Sequence, residues 1–334
     1  MARKTKQNKL TSPELIAQYH KQNVYLITSF LDYLRSTDKS KGTIEQYHND
    51  LDIFFCWNVK TNNNKPFTQV TKKDFTRFQG TALSEWEWSS NRLRREKSAI
   101  SSLSDYIENI LDEEEEFANF RSTIKKIANP VNVPVREKTV FKEEELKRLL
   151  DILVEDKQYE QACALSLAMS SARRKSELTR FKVSWFKDEY VIADRFYKTP
   201  ERVVTKGQGS KGKLLNLYII KEMFDPYFKL WLEDRQQKGI QSEWLFPSPR
   251  DPENHISSDV LDTYADRFTE LCGKDFYWHS IRHFAVTQFV KNRFPPQLIQ
   301  GIIGWNSAEM IDTYNDLTTD DLIEDYFKNK EDKS

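Results

Sequence analysis

The chain has 334 residues, of which 38% are hydrophobic and 13% aromatic, enough apolar material for packed cores and too much for a disordered chain. No run reaches the roughly 18 apolar residues of a membrane span, and the basic start lacks the apolar stretch of a secretory signal. The balance of 51 basic and 51 acidic residues argues against a protein that coats nucleic acid without regard to sequence. Three scattered cysteines are typical of buried thiols in a reducing cytoplasm.

The neutral total hides a segregation of charge along the chain. Residues 161–250 carry 17 basic and 10 acidic groups, whereas residues 251–334 carry 8 and 16. Charges that are separated along a chain can also be separated on its surface, and a basic surface attracts phosphate. A nucleic-acid ligand therefore stays open, although solvated helix faces would give the same pattern.

Residues 12–128 are predicted to form a helical domain of four or five helices. Ser12 followed by Pro13 is a typical helix start, with serine as the N-cap and proline at the first position. Thr71 and Asp74 have the spacing of a capping box. Apolar residues recur at helical spacing between these signals, which indicates amphipathic helices around one core.

A further helix is predicted to open at Ser89, with one apolar and one basic face. The basic face could contact a DNA backbone or groove, or it could simply be solvated. The candidate DNA-binding residues of this domain are Lys41, Arg92, Arg94, Arg95 and Lys97.

Two segments on either side of this domain are predicted to lack regular structure. Residues 1–11 form a basic, disordered arm, and residues 129–139 form an extended linker because prolines and asparagines there disfavour helix. The second domain covers residues 140–334 and ends in an acidic tail. It begins with a helix at 141–153, and its strand signals lie at 190–193, 202–205 and 214–219. The glycine-rich stretch between the last two predicts a hairpin.

The stretch from Trp278 to Val290 carries the densest set of functional side chains. His279, Arg282 and His283 have i, i+3, i+4 spacing, so they share one face of a helix. A histidine pair at this spacing could bind zinc, but the motif offers no third ligand. Arginine beside histidine suits an oxyanion or phosphate better, since arginine offers a bidentate fork. A surface helix with incidental charges is the alternative.

An earlier string, Ser171 to Leu178, places Arg174 before a new helix and Glu177 three positions later. An arginine at such a turn can point at a ligand, and the glutamate could orient it. The alternative is an ordinary charged helix end.

A later string runs from Leu298 to Asn315. Gly304 is predicted to end one helix, and Asn306 with Glu309 resembles the capping box of the next. Tyr314 then lies about two turns into that helix. A lone tyrosine at such a place is usually a core or surface residue.

Taken together and in this order, the three strings resemble the tyrosine recombinase (phage integrase) family. The matches are Arg174 to Leu178, then His279, Arg282 and His283, then Ile303 to Trp305, and finally Tyr314, nine residues after the tryptophan. The resemblance implies a mainly α fold with a small β-sheet. A helical, SAM-like core-binding domain would precede an α+β catalytic domain, in the two-domain layout of Cre-like or Xer-like proteins.

The resemblance also implies a mechanism. Tyr314 would attack a DNA phosphodiester and form a 3′-phosphotyrosine, while Arg174 and Arg282 stabilise the charge of the transition state. His279 would be an acid/base, and Trp305 would supply an indole N–H. The leaving 5′-oxygen would be protonated by Lys206, for which Lys211 and Lys213 are competitors because the hairpin turn is about two residues longer than usual. Glu177 and His283 would be supporting residues. Neither a metal nor a cofactor is implied.

The implied partners are double-stranded DNA with specific sites and further copies of the chain, as a dimer or tetramer on DNA. The acidic tail would be a docking element for a basic patch, or it would weaken the DNA affinity needed for assembly. The location would be the cytoplasm of a bacterial cell, with a phage or mobile-element origin. Three functions fit this reading: an active site-specific recombinase, a DNA-binding regulator such as a phage repressor that has kept the fold, and a type IB topoisomerase.

Overall fold

The structure, a computed structural model, describes residues 9–131, 138–206, 211–321 and 323. Most of the predicted arm, much of the predicted linker and the end of the acidic tail lie outside these residues. The structure divides into two compact units, one with the elements up to residue 131 and one with the elements from residue 138 onward.

The first unit consists of five α-helices. They are α1 (Pro13–Ile16), α2 (Lys21–Ser36), α3 (Lys41–Thr61), α4 (Lys72–Ser84) and α5 (Ser90–Ile110). The predicted caps are confirmed: Ser12 accepts a hydrogen bond at the start of α1, and Thr71 and Asp74 form a complete capping box on α4. The apolar residues at helical spacing after Ser12 are divided between α1 and α2.

The core of the first unit is strongly aromatic. Phe54 lies at its centre, with its ring centroid 5.2 Å from that of Phe78 and 5.3 Å from that of Phe55. Edge-to-face rings of this kind add to the free energy gained from burying their area. This aromatic packing holds the helices of the first unit together.

The second unit is helical with two small sheets. Its helices are α6 (Glu143–Glu155), α7 (Tyr159–Ser171), α8 (Lys175–Leu178), α9 (Lys221–Gln237), α10 (Ser258–Cys272), α11 (Trp278–Lys291), α12 (Pro296–Ile303) and α13 (Met310–Tyr314). Every residue of α7 from Ala162 to Ser171 is buried. Alanine, serine and cysteine predominate there, and small side chains let neighbouring helices approach α7 closely.

The strands are β1 (Val191–Ile192), β2 (Phe196–Lys198), β3 (Val203–Thr205), β4 (Lys213–Leu215) and β5 (Tyr218–Ile220). One antiparallel sheet has the order β1-β2-β5, and β3 pairs with β4 as the predicted hairpin. The single strand predicted at 214–219 is wrong, because it divides into β4 and β5. The division follows from Asn216, whose side-chain amide donates to the carbonyl of Thr199 at 2.8 Å, so the chain leaves one sheet for the other.

The segment around Gly304 also differs in part from its prediction. Gly304 ends α12 with φ +79°, as predicted. The helix predicted to start at Asn306 begins instead at Met310, so Tyr314 is the last residue of a five-residue helix. The two turns predicted before Tyr314 are therefore wrong.

Two other sequence predictions can be compared with the structure. Cys56 and Cys163 are buried and Cys272 is partly buried, and all three thiols are free. Within the described ranges, no helix combines the length and the apolar character that a bilayer crossing requires.

Candidate functional site

Tyr314 lies among three aromatic rings of the second unit. Its ring centroid is 4.7 Å from that of His283, 5.1 Å from that of Trp305 and 5.3 Å from that of His279. Helix α11 supplies both histidines, the turn after α12 supplies the tryptophan, and α13 supplies the tyrosine. Two of the sequence strings, Trp278 to Val290 and Leu298 to Asn315, are thus brought to one place, and Tyr314 is only 7% exposed there.

Arg282 lies beneath this ring cluster. Its guanidinium carbon is 5.3 Å from the centroid of the Tyr314 ring and 5.6 Å from that of Trp305. The side chain is 1% exposed, and Nη1 donates to the carbonyl of Ala172 at 2.7 Å. Nε and Nη2 are buried and form no hydrogen bond of ordinary geometry with the described residues, although the Tyr314 side chain lies close enough to interact with the guanidinium. Burying such donors unpaired is unfavourable, so the site favours an acceptor between Arg282 and Tyr314.

Arg174 approaches the site from the turn between α7 and α8. Ala172 in this turn has the left-handed φ of +52°, which reverses the chain after α7. Arg174 is the N-cap of α8, and its Nη1 lies 3.1 Å from Oε1 of Glu177. About a third of the Arg174 side chain is exposed, so its guanidinium has an open side. Glu177 thus pairs with the Arg174 guanidinium, and its role in orienting that group toward a ligand stays a prediction.

Glu177 is held as a carboxylate. Burial raises its pKa, but the charges of Arg173 and Arg174 and the backbone N–H of Arg174 more than offset that effect, so the pKa lies below its ordinary value. The positive charge of Arg174 in turn adds to burial in lowering the pKa of Arg282. The two guanidinium charges therefore act on each other within this site.

The two histidines of α11 are both shifted toward the neutral form. One side of His279 is open to solvent, but its ring packs on His283 and Tyr314. The resulting desolvation, together with the charges of His283 and Arg282, lowers the pKa of His279 below 6.5. Desolvation and Lys138 likewise lower the pKa of His283, against the opposing effect of Asp316. A neutral His279 beside Tyr314 can accept a proton.

Asp316 and Lys138 belong to this group, and the sequence analysis did not single them out as site residues. The Asp316 side chain is 4% exposed and forms an ion pair with Lys138, and its Oδ1 lies 3.3 Å from Nδ1 of His283. The sequence places Asp316 in the acidic tail, and only its position two residues after Tyr314 could have drawn attention to it.

The three candidate lysines of the hairpin differ in their surroundings. Lys213, at the start of β4, donates through Nζ to the carbonyl of Gly304 and to Oδ1 of Asn306, both at 3.1 Å. Lys206 follows β3, and both it and Lys211 are exposed. Lys213 thus supports the turn that carries Trp305, whereas the Lys206 side chain is open to solvent.

The basic residues of α5 belong to the first unit. Two of them donate hydrogen bonds to the segment at the C-terminal end of that unit. Lys97 is buried and donates to the carbonyl of Ile127 and, at 3.1 Å, to Oδ1 of Asn129. Arg94 donates to the carbonyl of Pro130 at 2.7 Å. These intramolecular contacts give Lys97 and Arg94 a structural role. Contact of either residue with DNA stays a prediction.

The other candidates of this unit are more open. Arg95 forms a 3.0 Å ion pair with the buried Asp50, and Arg92 stacks over Trp88 with its guanidinium carbon 4.2 Å from the ring centroid. The side chain of Lys41 is 92% exposed. Lys41 is therefore the candidate whose charge is most available to a ligand.

Comparison with known proteins decides the family. The model of the phage integrase family matches residues 139–320, more than half of the chain. This chain belongs to the phage integrase family. The family resemblance stated from the four sequence elements is confirmed, and the family match spans His279, Arg282, His283, Trp305 and Tyr314.

One curated relative extends the similarity into the first unit. The chain is 27% identical over 277 residues to the SPbeta prophage-derived recombinase-like protein YomM of Bacillus subtilis (strain 168). The alignment covers 82% of this chain and 80% of the relative. The similarity is therefore not confined to the second unit.

Solved structures of tyrosine recombinases share the fold. XerH bound to palindromic difH substrate in a post-cleavage complex has a TM-score of 0.67 at 16% identity, over 90% of this chain and 94% of XerH. The Tn1549 transposon integrase with circular intermediate DNA has a TM-score of 0.62 at 14% identity, over 90% and 98%. A lambda integrase tetramer on a Holliday junction has 0.60 at 13% identity, over 87% and 76%. The predicted fold class is confirmed.

Proposed function

We propose that this phage integrase family member cuts and rejoins DNA at specific sites through a 3′-phosphotyrosine on Tyr314. The observation that carries the proposal is the pair of buried guanidinium nitrogens of Arg282 beside the Tyr314 ring, which form no hydrogen bond of ordinary geometry with the described residues. A phosphodiester would give these donors the acceptors that the described residues do not, and a positively charged fork suits its two non-bridging oxygens.

The surrounding residues take complementary roles in this proposal. The Tyr314 oxygen forms a bond to phosphorus as the bond from phosphorus to the 5′-oxygen breaks. His279 accepts the tyrosine proton, while Arg174 and Arg282 stabilise the charge that builds up on the phosphoryl oxygens. Lys206 donates a proton to the leaving 5′-oxygen. One phosphate ester replaces another, so rejoining is the same reaction run backward.

The domain roles and partners belong to the same proposal. Residues 12–128 would grip the DNA, residues 129–139 would link, and residues 140–334 would catalyse. The XerH, Tn1549 and lambda structures contain DNA, and one contains a tetramer, which supports double-stranded DNA and further copies of this chain as partners. The prophage origin of YomM supports a role in phage or mobile DNA. Docking of the acidic tail on a neighbouring copy completes the proposal.

The test is covalent trapping. A genomic pull-down with the full chain identifies a bound site, and that site is then made as a duplex with a nick next to the scissile phosphate, so that the cleaved fragment diffuses away. The wild-type chain should form an adduct that survives denaturation, Tyr314→Phe should form none, and Tyr218→Phe should react like wild type. Specific binding by the wild-type chain without any adduct would contradict the proposal.

That contrary outcome describes the second candidate, a DNA-binding regulator that does not recombine DNA. It is favoured by the enclosure of Tyr314, which is only 7% exposed among its three neighbouring rings. A regulator predicts that Tyr314→Phe leaves operator binding and repression intact in a reporter strain. Loss of repression in that variant would count against the regulator.

A further inference from the structure

Arg173 immediately precedes Arg174, the arginine of the family motif, in the chain, and it is buried. Its side chain is 1% exposed, whereas about a third of the Arg174 side chain is exposed. Its Nε donates to the carbonyl of Ser171 at 3.0 Å, and its Nη2 donates to the carbonyl of Ile302 at 2.6 Å. One guanidinium therefore joins the end of α7 to the end of α12.

The charge on Arg173 makes this placement unusual. Burial lowers its pKa to about 10, and the nearby charges of Arg282 and Arg174 act in the same direction, with Glu177 opposing them. Arg173 thus remains a cation at neutral pH, although it repels two other arginines. A cation buried among like charges needs fixed hydrogen-bond acceptors, and Arg173 finds them in the carbonyls of Ser171 and Ile302.

The two carbonyls that Arg173 holds belong to the two chain segments that frame the site. On one side, the same turn offers the carbonyl of Ala172 to Nη1 of Arg282. On the other side, Ile302 lies two residues before Gly304, whose left-handed φ turns the chain into Trp305. The position of the Trp305 ring against Tyr314 therefore depends on where α12 ends.

We propose that Arg173 is a positioning residue, which fastens the turn bearing Arg174 to the end of α12 and thereby sets Trp305 against Tyr314. The consequence for the rate rests on the cleavage function proposed above. Lysine cannot replace the planar fork, because a single ammonium does not span two carbonyls in the same way.

Arg235 in α9 provides a matched control. It is 4% exposed in the same unit, and it too donates to backbone carbonyls, those of Trp244 and Leu245, at 2.9 and 3.0 Å. Arg173→Met and Arg235→Met therefore remove the same group from similarly buried surroundings. We expect both variants to lose thermal stability, which alone would not distinguish them.

The first readout is the rate of adduct formation at saturating nicked DNA, well below the melting temperatures of the variants. Arg173→Met should react about 10- to 100-fold more slowly than Arg235→Met, with the DNA dissociation constant unchanged, because misplacement slows chemistry more than binding. In the double variant Arg173→Met/Trp305→Phe, the rate of adduct formation should fall by less than the product of the fold-losses of the two single variants. Equal rates for the two methionine variants would overturn the proposal.

The second readout does not require cleavage. In protein labelled with 5-fluorotryptophan, the ¹⁹F resonance of Trp305 is assigned by its loss in Trp305→Phe. Arg173→Met should shift or broaden that resonance, and Arg235→Met should leave it in place. If the wild type forms no adduct but the resonance moves, the cleavage function fails and the positioning role stands.

Arg173→Lys serves if the methionine variant does not fold. It keeps the charge but loses the fork, so the Trp305 resonance should still shift. An unmoved Trp305 resonance in every folded variant of Arg173 would overturn the positioning role, whatever the cleavage results.

Discussion

Nδ1 of His283 lies 3.3 Å from Oδ1 of Asp316, the second residue after Tyr314. The same carboxylate pairs with Lys138, and the backbone N–H of Asp316 donates to Oγ1 of Thr287 at 2.9 Å. The segment that follows Tyr314 is thus fastened to α11, which carries the two histidines. Through this link the second histidine keeps its ring against that of the tyrosine.

Asp316→Asn should weaken this link. The negative charge of Asp316 raises the pKa of His283, so its removal should lower that pKa further, as measured by an NMR titration of the His283 ring. Adduct formation should slow about tenfold, which corresponds to about 1.4 kcal/mol, because the segment after Tyr314 loses the carboxylate charge that pairs it with Lys138 and His283. Asp312→Asn, an exposed change in α13, is the control and should alter neither quantity. An unchanged His283 titration in Asp316→Asn would contradict the link.

The rate of adduct formation should depend on pH through His279. Burial of its ring and the neighbouring charges of His283, Arg282, Arg174 and Lys138 lower its pKa below 6.5. A base with a lowered pKa is neutral at pH 7 and loses its function only on acidification. The rate at subsaturating DNA, which reports the pKa values of the free chain, should therefore be flat above pH 7 and fall with a midpoint below 6.5.

The variant His279→Gln separates this effect from other titrations. It should react slowly at every pH and lack the acidic fall. A midpoint above 6.5 in the wild type, or the same fall in the variant, would show that another group is responsible.

The lysines of the hairpin can be told apart with a substrate that carries sulfur in place of the 5′-bridging oxygen. A thiolate leaves without a proton, so this substrate should restore a variant that lacks only the general acid. Lys206→Ala should be slowed by about 10²- to 10⁴-fold on normal DNA and rescued by the sulfur substrate.

Lys213→Ala should be slow on both substrates, because Lys213 supports the carbonyl of Gly304 and the side chain of Asn306. Rescue of Lys211→Ala or Lys213→Ala, and not of Lys206→Ala, would move the acid role to that residue.

Two glycines of the α12 region should respond oppositely to alanine. At Gly304, φ is +79° and a Cβ atom would come within 2.1 Å of Cδ1 of Leu215. Gly304→Ala should therefore lower the free energy of unfolding by more than the roughly 1–2 kcal/mol of left-handed strain alone. Gly301 lies within α12, and an added Cβ there would meet no described atom within 4 Å, so Gly301→Ala should add about 0.5–1 kcal/mol. Urea unfolding measures the free energy of unfolding of both variants. An unchanged free energy of unfolding in Gly304→Ala would contradict the predicted strain.

The basic residues of the first unit should divide into structural and ligand-facing groups. Lys97→Met should cost about 1–3 kcal/mol of stability, because it leaves the carbonyl of Ile127 and the side chain of Asn129 without their donor. Lys41→Gln should leave the melting temperature unchanged and reduce the slope of log K against log salt for DNA binding by about one. A stable Lys97→Met variant with an altered salt slope would instead place Lys97 on the DNA.

Local signals were sufficient where one residue determines its own conformation. The Thr71–Asp74 capping box and the left-handed Gly304 were predicted because each depends on a few neighbouring atoms. The order of Arg174, His279, Arg282 and Tyr314 was recognised by its resemblance to the tyrosine recombinase family, and that family is confirmed.

The structural features that the sequence did not predict depend on contacts between residues that are far apart in the chain. The division of the strand at Asn216 depends on Thr199, and the burial of Arg173 depends on the carbonyl of Ile302. The basic face of α5 suggested a contact with DNA. The hydrogen-bond acceptor of Lys97 is instead the carbonyl of Ile127, some thirty residues further along the chain. Periodicity shows which face of a helix is polar and does not show what that face meets.

The alanine at position 172 has a consequence for the rigidity of the site. Its φ of +52° would be relaxed in glycine, yet the chain keeps a side chain there. Alanine restricts the backbone more than glycine does, in the folded and in the unfolded chain. The reversal that presents two adjacent arginines is therefore a stiff joint that gives up some stability, and it holds their guanidinium groups in register before any DNA arrives.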